Sequence, residues 1–224
     1  MIDIVIFGSG GHAKVIFSEI AKNKNYNLLG FTDEFKDRGQ LVLRHHGKDF
    51  FVLGDIKEVL KKKNSKFKGI IGIGLNFVRK KVFKQILKID RNFEFEAVIS
   101  KDAVINSEEK IGDGALIMSG SVINYGTKIG SHCIINSSSS IDHDNIFSNF
   151  SSTGPGVITG GNVNVLEESY IGIGAKIKNS ITINERTIIG ANSFVNTNCE
   201  SDSVYYGSPA KKIRMRASDE DYLN

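Results

Sequence analysis

The chain of 224 residues is long enough for one large or two modest domains. Its 40% hydrophobic and 24% charged residues are typical of a globular protein, and a net charge of +4 gives no reason to expect a nucleic-acid partner. No stretch approaches the roughly 18 apolar residues that a membrane span requires, and the chain opens on a strand-like segment without a leader pattern, so we expect a cytoplasmic protein.

The first predicted element is a strand from Ile2 to Phe7, which runs into a glycine turn. The turn reads Gly8-Ser9-Gly10-Gly11-His12, and the apolar residues after it recur at the spacing of one buried helix face. Backbone N–H groups at such a helix start can approach a phosphate closely, and the helix dipole favours the negative charge. The turn therefore predicts a phosphate-binding site.

Strands and helices alternate through the rest of the first hundred residues. After the first helix we predict a strand at 27–32, a loop or short hairpin, a helix from about 55 to 63, a strand at 68–73 and a helix after Asn76. The alternation predicts a small parallel sheet with helices on both faces.

Gly8, Gly10 and Ala13 also fit a loose dinucleotide-binding pattern, with Asp33 at a suitable distance. A full dinucleotide fold needs two mononucleotide halves, and only one fits before the next part of the chain begins. We therefore expect a mononucleotide-type ligand.

From Ile99 to Glu200 the sequence repeats with a period of six. Every sixth residue from Ile99 is aliphatic or Phe except at Thr153 and Thr159, and the next residue is most often Gly, Asn or Asp, which tolerate a left-handed turn. This period cannot form one stripe on an α-helix, but it suits short strands that share a core. The repeat predicts a triangular parallel β-solenoid.

A further position of the repeat, four residues after the aliphatic one, is mostly small. Cys133 and Cys199 both occupy it. Because the position faces the predicted core, we expect packed thiols rather than a disulfide or a metal pair, and no cluster of metal-ligating residues is apparent elsewhere.

The repeat is irregular only between Ile135 and Gly161. In this stretch His143 follows an aliphatic position by two residues, where a side chain points outward, and a carboxylate flanks it on each side. Neighbouring negative charge raises the basicity of an imidazole, so His143 is a candidate general base near neutral pH. From spacing alone, a surface histidine in a polar turn remains an open alternative.

The segments GSGGHAKV, GFTD, VLGDIKEVL and IGIGLNFVRKKVF, followed by the hexapeptide repeat, resemble the NeuD/PglD-type sugar acyltransferases. In that family the first domain holds a nucleotide-linked amino sugar or a sialic acid, and a left-handed β-helix binds acetyl-CoA. The resemblance implies a half-Rossmann-like α/β domain over residues 1–98 and a left-handed parallel β-helix with a C-terminal tail over 99–224. It also implies an acetyltransferase with acetyl-CoA as co-substrate and without a metal.

The resemblance further implies roles for individual residues. His143 would be the general base, oriented by Asp144, with Asn136 as a third catalytic residue. The backbone N–H of Gly161 would hold the thioester oxygen, and Ser152 stands where some relatives carry a second histidine. The substrate-binding residues would be Gly8, Gly10, Gly11, His12, Asp33, Glu34, Asn76 and Arg79. The cofactor-binding residues would be Ser152, Gly161, Gly172, Gly174, Ala175, Ala191, Pro209, Ala210 and Lys211.

We thus predict N-acetylation of a nucleotide-linked amino sugar, for example a UDP-4-amino-sugar. O-acetylation of a sialic acid is the alternative within the enzyme class, and a sugar-nucleotide-binding scaffold is the alternative outside it. From Ser119 to Thr159 the charged residues are Lys128, Asp142 and Asp144 alone, which favours a homotrimer with a buried solenoid surface and shared active sites. The acidic tail, residues 217–224, is expected to be frayed.

Overall fold

The computed structural model describes residues 1–61, 66–217 and 219–223. The predicted fold class, a small α/β domain followed by a left-handed parallel β-helix, is confirmed. The helix predicted from about 55 to 63 extends to Lys61, and its last two predicted residues lie outside the described ranges. Within those ranges, no helix is long and apolar enough to cross a membrane.

The first domain is built on a parallel sheet of order β2-β1-β5. Side chains alternate along the central strand, so that Ile4 and Ile6 pack with α1 while Val5 and Phe7 pack on the opposite side with α2 and α3. The elements are β1 (Ile2–Phe7), α1 (Gly11–Lys22), β2 (Tyr26–Thr32), β3 (Leu41–His45), β4 (Lys48–Phe51), α2 (Ile56–Lys61), β5 (Lys68–Ile71) and α3 (Asn76–Ile89). β3 and β4 form a hairpin where the sequence predicts a loop or short hairpin.

The second domain is a solenoid of two-residue parallel strands. One side chain per strand points into a continuous core, and it is aliphatic or Phe except at Thr153 and Thr159. The strands are β6 (Val98–Ile99), β7 (Val104–Ile105), β8 (Leu116–Ile117), β9 (Val122–Ile123), β10 (Lys128–Ile129), β11 (Ile134–Ile135), β12 (Ser140–Ile141), β13 (Ile146–Phe147), β14 (Ser152–Thr153), β15 (Ile158–Thr159), β16 (Asn164–Val165), β17 (Tyr170–Ile171), β18 (Lys176–Ile177), β19 (Thr182–Ile183), β20 (Ile188–Ile189) and β21 (Phe194–Val195). An antiparallel hairpin, β22 (Ser203–Gly207) and β23 (Ala210–Met215), closes it.

The strands stack into three faces. The docking face contains β6, β8, β11, β14, β17, β20 and β22; the second face contains β7, β9, β12, β15, β18 and β21; the third face contains β10, β13, β16 and β19. Both cysteines are buried free thiols, as predicted.

The first domain packs on the docking face. Leu116, Met118 and Ile134 of the solenoid share one apolar cluster with Ile16 and Ile20 of α1. Because the docking face is one side of a triangle, the corner between the second and third faces lies on the side of the solenoid away from the first domain. This placement determines which functional residues of one chain can meet.

Candidate active site

A cavity of about 590 Å³ opens at the edge of the first domain where the parallel strands end. Its floor is the glycine turn between β1 and α1, and its walls include residues 33–35 after β2 and 72–75 after β5. Parallel sheets bind ligands at this edge, because strand ends and helix starts converge there. The predicted substrate-binding residues that line it are Gly8, Gly10, Gly11, His12, Asp33 and Glu34.

The glycine turn leaves room for a ligand at the start of α1. Gly8 has φ 112°, and a Cβ there would lie 3.2 Å from the carbonyl oxygen of Gly72, so a glycine is required by the fold itself. A Cβ on Gly10 or Gly11 would meet no atom within 4 Å. No side chain caps α1, so its first N–H groups are available to an anion.

Ser9, Asp33 and Lys36 form a hydrogen-bonded cluster beside the turn. Ser9 Oγ donates to Asp33, and Lys36 Nζ donates to Ser9 Oγ at 2.6 Å. Desolvation acts to raise the pKa of Asp33, but the hydrogen bonds from Ser9 and from the Phe35 N–H outweigh it, and the pKa lies below its usual value. Asp33 is therefore ionised, and the ammonium group of Lys36 adds a positive charge that the sequence analysis did not assign.

His12 lines this cavity and carries an unpartnered nitrogen. Its Nε2 is buried and has no hydrogen-bond partner among the described residues. Desolvation, assisted by the charge of Arg79, lowers the pKa of His12 to about 4, so the ring is neutral at neutral pH. Because buried polar atoms in folded proteins normally have a partner, this nitrogen is a candidate contact for a bound ligand.

Asn76 and Arg79 do not line the cavity; they lie fully buried between the two domains. Asn76 Nδ2 donates to the carbonyl oxygen of Ser169 on the solenoid at 3.0 Å. Arg79 uses all of its N–H groups, donating to the carbonyl oxygens of His132, Phe150, Ile73 and Gly74 and to Asn76 Oδ1. Either residue would therefore affect a ligand only through the 72–75 segment that it supports.

Ser152 belongs to the same interface. It is buried on the docking face, and its Oγ donates to Asn76 Oδ1 at 2.7 Å. The hydroxyl is thus engaged between the domains, on a different face from His143, and its contact with the co-substrate stays a prediction.

The C-terminal tail is docked, which corrects the expectation of a frayed end. The Tyr222 hydroxyl accepts a 2.7 Å hydrogen bond from the N–H of Asn76, and its ring stacks on Tyr170 with 4.6 Å between centroids. Tail residues Asp221 and Leu223 line the cavity. The aromatic anchor explains the difference, because an acidic composition gave no sign that one tyrosine would be buried.

His143 and Asp144 lie at what we name the histidine corner, residues 142–144 and 160–162 between the second and third faces. His143 Nδ1 is 2.8 Å from Asp144 Oδ2. This hydrogen bond, with a smaller contribution from Asp142, raises the pKa of His143 above its usual value. With Nδ1 carrying the proton toward the carboxylate, Nε2 is left as a basic nitrogen, and the ring is exposed to solvent.

Gly161 lies directly under this imidazole. A Cβ at Gly161 would collide with His143 Nε2, so the ring can occupy its position only because residue 161 is a glycine. The backbone N–H of Gly161 has no hydrogen-bond partner in the part of the chain that the structure describes. A basic nitrogen and an unused N–H donor therefore lie side by side.

The two threonines that interrupt the aliphatic series stabilise the turns that carry the candidate catalytic residues Asn136 and His143. Thr159 Oγ1 accepts the N–H of Asp142 at 3.2 Å, and Thr153 Oγ1 accepts the N–H of Asn136 at 2.9 Å. Both threonines are buried in the core. Each threonine buries less apolar surface than an aliphatic residue would, but its hydroxyl accepts a hydrogen bond from one of these turns.

Asn136 is not brought to His143 within one chain. It begins the turn between β11 and β12, at the corner between the docking face and the second face, whereas His143 is at the corner between the second and third faces. Residues 154–156, 172–174 and 190–192 are in line with Asn136 along the solenoid, and we name them the glycine corner. Gly172, Gly174, Ala175 and Ala191 lie at or beside this corner. Packing alone requires a glycine at residue 172, because a Cβ there would lie 2.6 Å from the carbonyl oxygen of Ile189 in the next coil.

Pro209, Ala210 and Lys211 lie in the hairpin of β22 and β23 at the end of the solenoid. Ala210 is buried, whereas Pro209 and Lys211 are exposed. The ammonium group of Lys211 is therefore open to solvent near the end of the glycine corner.

Comparison with known proteins identifies the family. Residues 3–86 match the model of the PglD N-terminal domain, and residues 110–143 match bacterial transferase hexapeptide repeats. The acetyltransferase domain of PglB from Neisseria gonorrhoeae is 26% identical, with a TM-score of 0.83 over 94% of this chain and 99% of that one. The predicted resemblance to the PglD/NeuD-type sugar acyltransferases is confirmed.

Other solved proteins have similar structures. Perosamine N-acetyltransferase from Caulobacter crescentus, solved with CoA and GDP-perosamine, is 27% identical, with a TM-score of 0.84 over 95% of this chain and 97% of that one. WeeI from Acinetobacter baumannii, at 23% identity over 95% of this chain and all of that one, shares the fold with a TM-score of 0.79. The predicted enzyme class, an acetyltransferase, is confirmed by these structural neighbours and by the match to transferase hexapeptide repeats.

Three parts of the candidate site were missed in the sequence: the cation Lys36, the tail residues around Tyr222, and a buried asparagine, Asn145. Of these three, only Asn145 could have been recognised from the sequence. In the register from Ile99, it is the one Asn at the position four residues after the aliphatic residue, where most coils carry a smaller residue.

Proposed function

We propose that this protein transfers an acetyl group from acetyl-CoA to the amino group of a nucleotide-linked amino sugar, such as a UDP-4-amino-sugar. The observation that carries the proposal is the histidine corner, where a carboxylate-oriented imidazole lies beside an unused backbone N–H. This pair supplies a general base and an oxyanion donor, the two groups that acyl transfer from a thioester requires. The cytoplasmic location expected from the sequence stays a prediction.

The proposed reaction proceeds by direct attack. The sugar amine forms a bond to the thioester carbonyl carbon while His143 Nε2 accepts a proton from the nitrogen. Negative charge develops on the thioester oxygen, where the Gly161 N–H donates to it. The C–S bond then breaks, and the imidazolium returns its proton to the CoA thiolate, giving the amide and free CoA thiol. Asp144 keeps the imidazole in the required tautomer.

The cavity of the first domain is the proposed site for the nucleotide-linked sugar. The uncapped start of α1 and the open faces of Gly10 and Gly11 suit a diphosphate. Lys36 adds a positive charge, and His12 lines the cavity beside the turn. Asp33 and Glu34 would lie beside the base. The relative from Caulobacter crescentus, solved with GDP-perosamine, supports a nucleotide-linked amino sugar as the ligand class.

Acetyl-CoA is the proposed co-substrate, and the PglB acetyltransferase domain has been solved with it. We assign its pantetheine arm to the glycine corner, whose backbone is bare at Gly174 and Ala191. The exposed Lys211 would meet the phosphates at the end of that corner. The sialic acid alternative shares this half of the mechanism, so it differs only in the acceptor.

The working form is proposed to be a homotrimer. In one chain the substrate cavity is on the docking-face side of the solenoid, whereas His143 is at the corner away from it. Transfer between these sites requires His143 of a neighbouring chain to approach the cavity. Exposed apolar residues on the second and third faces, including Ile146, Ile158 and Phe194, would be covered by such neighbours.

An acetyl-transfer assay tests the proposal directly. Purified protein with acetyl-CoA should acetylate at least one member of a panel of UDP-, GDP- and dTDP-linked amino sugars, with release of free CoA thiol. His143→Ala should lower kcat by roughly a hundredfold or more while leaving the protein folded, because the side chain is exposed. Activity only on CMP-linked or free sialic acids would replace N-transfer by O-transfer. Sugar-nucleotide binding without any transfer would favour the scaffold alternative.

A further inference from the structure

Asn145 lies directly beneath the histidine corner, fully buried in the solenoid core. Its side-chain Nδ2 donates to the carbonyl oxygens of Asp142 at 2.6 Å, Gly160 at 3.1 Å and His143 at 3.3 Å. Its Oδ1 accepts the N–H of Val163 at 3.0 Å. One side-chain amide thus joins the turn that carries His143 to the turn of the next coil.

The bond to Gly160 fixes the orientation of the neighbouring N–H. The carbonyl of Gly160 and the N–H of Gly161 belong to the same peptide unit, and in a trans peptide these groups point in opposite directions. Because Asn145 holds the carbonyl toward the core, the N–H of Gly161 is directed outward at the corner. There it lies beside the His143 ring and has no partner among the described residues.

The bonds to Asp142 and His143 fix the backbone on both sides of the imidazole. Two buried threonines complete this arrangement: Thr127 Oγ1 donates to the Asp142 carbonyl at 2.6 Å, and Thr159 Oγ1 accepts the Asp142 N–H at 3.2 Å. The backbone at Asp142 is therefore held from both the preceding and the following coil.

Other coils form similar corners without an asparagine. Where the equivalent position is Ser or Thr, a single hydroxyl donates to a carbonyl of the next coil, as Ser139 does to Gly154 at 3.4 Å and Ser169 does to Asn184 at 2.6 Å. Where it is Ala175 or Val163, no side-chain bond can form, and the coil is still regular. The fold of a corner therefore does not require an amide at this position.

We propose that Asn145 is a positioning residue for acetyl transfer, which holds the general base His143 and the oxyanion donor of Gly161 at a fixed separation across two coils. Thr159 serves the same purpose from the following coil. This inference rests on the proposed function, and it extends that function from the reacting groups to the buried amide that sets their geometry. Small displacements of such groups cost large factors in rate.

Steady-state kinetics of core variants test the role. Asn145→Ala introduces a residue that other coils tolerate, and it should lower kcat by about tenfold to a hundredfold, with the KM for each substrate changed by less than about threefold. Asn145→Ser should recover part of the loss, because a hydroxyl can still reach the Gly160 carbonyl as in other coils. Thr159→Val restores the aliphatic pattern of the core and should lower kcat without a matching loss of melting temperature.

Thr187→Val is the matched control. Thr187 is equally buried at the same position of the repeat, and its hydroxyl donates to the Glu200 carbonyl at 2.7 Å, far from the histidine corner. The Thr187→Val variant should keep kcat within about twofold of wild type. A loss of kcat in Asn145→Ala no larger than that in Thr187→Val would overturn the inference.

The inference can fail separately from the proposed function. Wild type and His143→Ala in the same assay decide whether the enzyme transfers acetyl groups at all. Independently of activity, the amide resonance of Gly161 and the imidazole resonances of His143 should shift in Asn145→Ala and stay unchanged in Thr187→Val. Unchanged resonances in Asn145→Ala would overturn the positioning role, whatever the assay returns.

Discussion

Arg79 Nε donates a 2.9 Å hydrogen bond to the carbonyl oxygen of His132, and this contact joins the two domains at the base of α3. The same guanidinium holds Ile73 and Gly74, which belong to the wall of the first-domain cavity. The position of that wall relative to the solenoid is therefore set by one buried side chain. The first domain, which contains the cavity, is therefore held on the solenoid by specific hydrogen bonds.

Replacing Arg79 with Met should destabilise the protein rather than weaken one ligand selectively. The change leaves the carbonyl oxygens of His132 and Phe150 buried without a donor, at a cost of about 1–3 kcal/mol each. We expect a lower melting temperature in differential scanning calorimetry. Arg91, at the exposed end of the domain, provides a control, since Arg91→Met should have little effect. A variant of wild-type stability that had lost only sugar-nucleotide binding would instead assign Arg79 to the ligand.

His132 should make the protein sensitive to acid. Desolvation, together with the charge of Arg79, lowers the pKa of this histidine from 6.5 to about 4. As pH falls below 6.5, the unfolded chain binds a proton that the folded chain does not, so stability is lost between about pH 6.5 and 4. His12, with a pKa also lowered to about 4, acts in the same direction.

His132→Phe should reduce this sensitivity by roughly 3 kcal/mol over that window. The ring of His132 stacks on Phe150 with 5.0 Å between centroids and contacts Phe83 and Phe95, so a phenyl ring suits the site. Melting temperatures at pH 8 and pH 4.5 measure the effect, with His45→Gln at an exposed histidine as the control. An identical acid-induced decrease in wild type and His132→Phe would refute the assignment.

Asp144→Asn should change the pH dependence of kcat. The hydrogen bond from His143 to Asp144 is the main reason that the pKa of His143 lies above its usual value. The neutral imidazole is the proposed base, so the rate rises with pH through this pKa. Without the carboxylate the pKa of His143 falls, so the acid limb of the kcat profile should move to lower pH. The plateau value of kcat should drop about tenfold or more. Asp142→Asn should move the limb less. A profile that does not move would argue against the His143–Asp144 pair.

Tyr222→Ala should weaken binding of the sugar nucleotide while leaving acetyl-CoA unaffected. The tail that this ring anchors supplies Asp221 and Leu223 to the cavity, and the glycine corner is elsewhere. We expect a rise of about tenfold in the KM for the sugar nucleotide, equivalent to about 1.4 kcal/mol. Tyr222→Phe keeps the stacking on Tyr170 and loses only the bond to Asn76, so its effect should be smaller. Equal changes in both KM values would contradict a local role for the tail.

Periodicity and turn chemistry predicted most of the fold. A hexapeptide register specifies which side chain enters the core in every coil, and the glycine turn specifies the start of α1. The histidine corner was also predictable, because His143 and Asp144 are neighbours in sequence. Their contact needs no knowledge of how the domains pack.

Contacts between distant segments could not be predicted in the same way. Arg79 follows helix residues that give no sign of burial, and its partners His132 and Phe150 are more than fifty residues away. Tyr222 is in an acidic tail that composition describes as solvated. The threonines at 153 and 159 were noticed as exceptions, but only the structure shows that they accept N–H groups from the turns of Asn136 and Asp142.

Two inactive variants with different defects provide the components of a decisive test. Gly11→Val places a side chain in the open cavity, where a Cβ meets no protein atom within 4 Å, so it should block the sugar nucleotide and spare the fold. His143→Ala removes the base and spares the cavity. Each homotrimer alone should have little activity. Light scattering should first show that each has about three times the chain mass of 24.6 kDa.

Complementation between these variants tests the central claim that the cavity of one chain works with His143 of another. Gly11→Val and His143→Ala chains, co-expressed with different tags and purified as mixed trimers, should transfer acetyl groups at a substantial fraction of the wild-type rate, because an intact cavity then adjoins an intact histidine. Mixed trimers as inactive as the parents, with acetyl transfer by wild type in the same assay, would contradict the shared site.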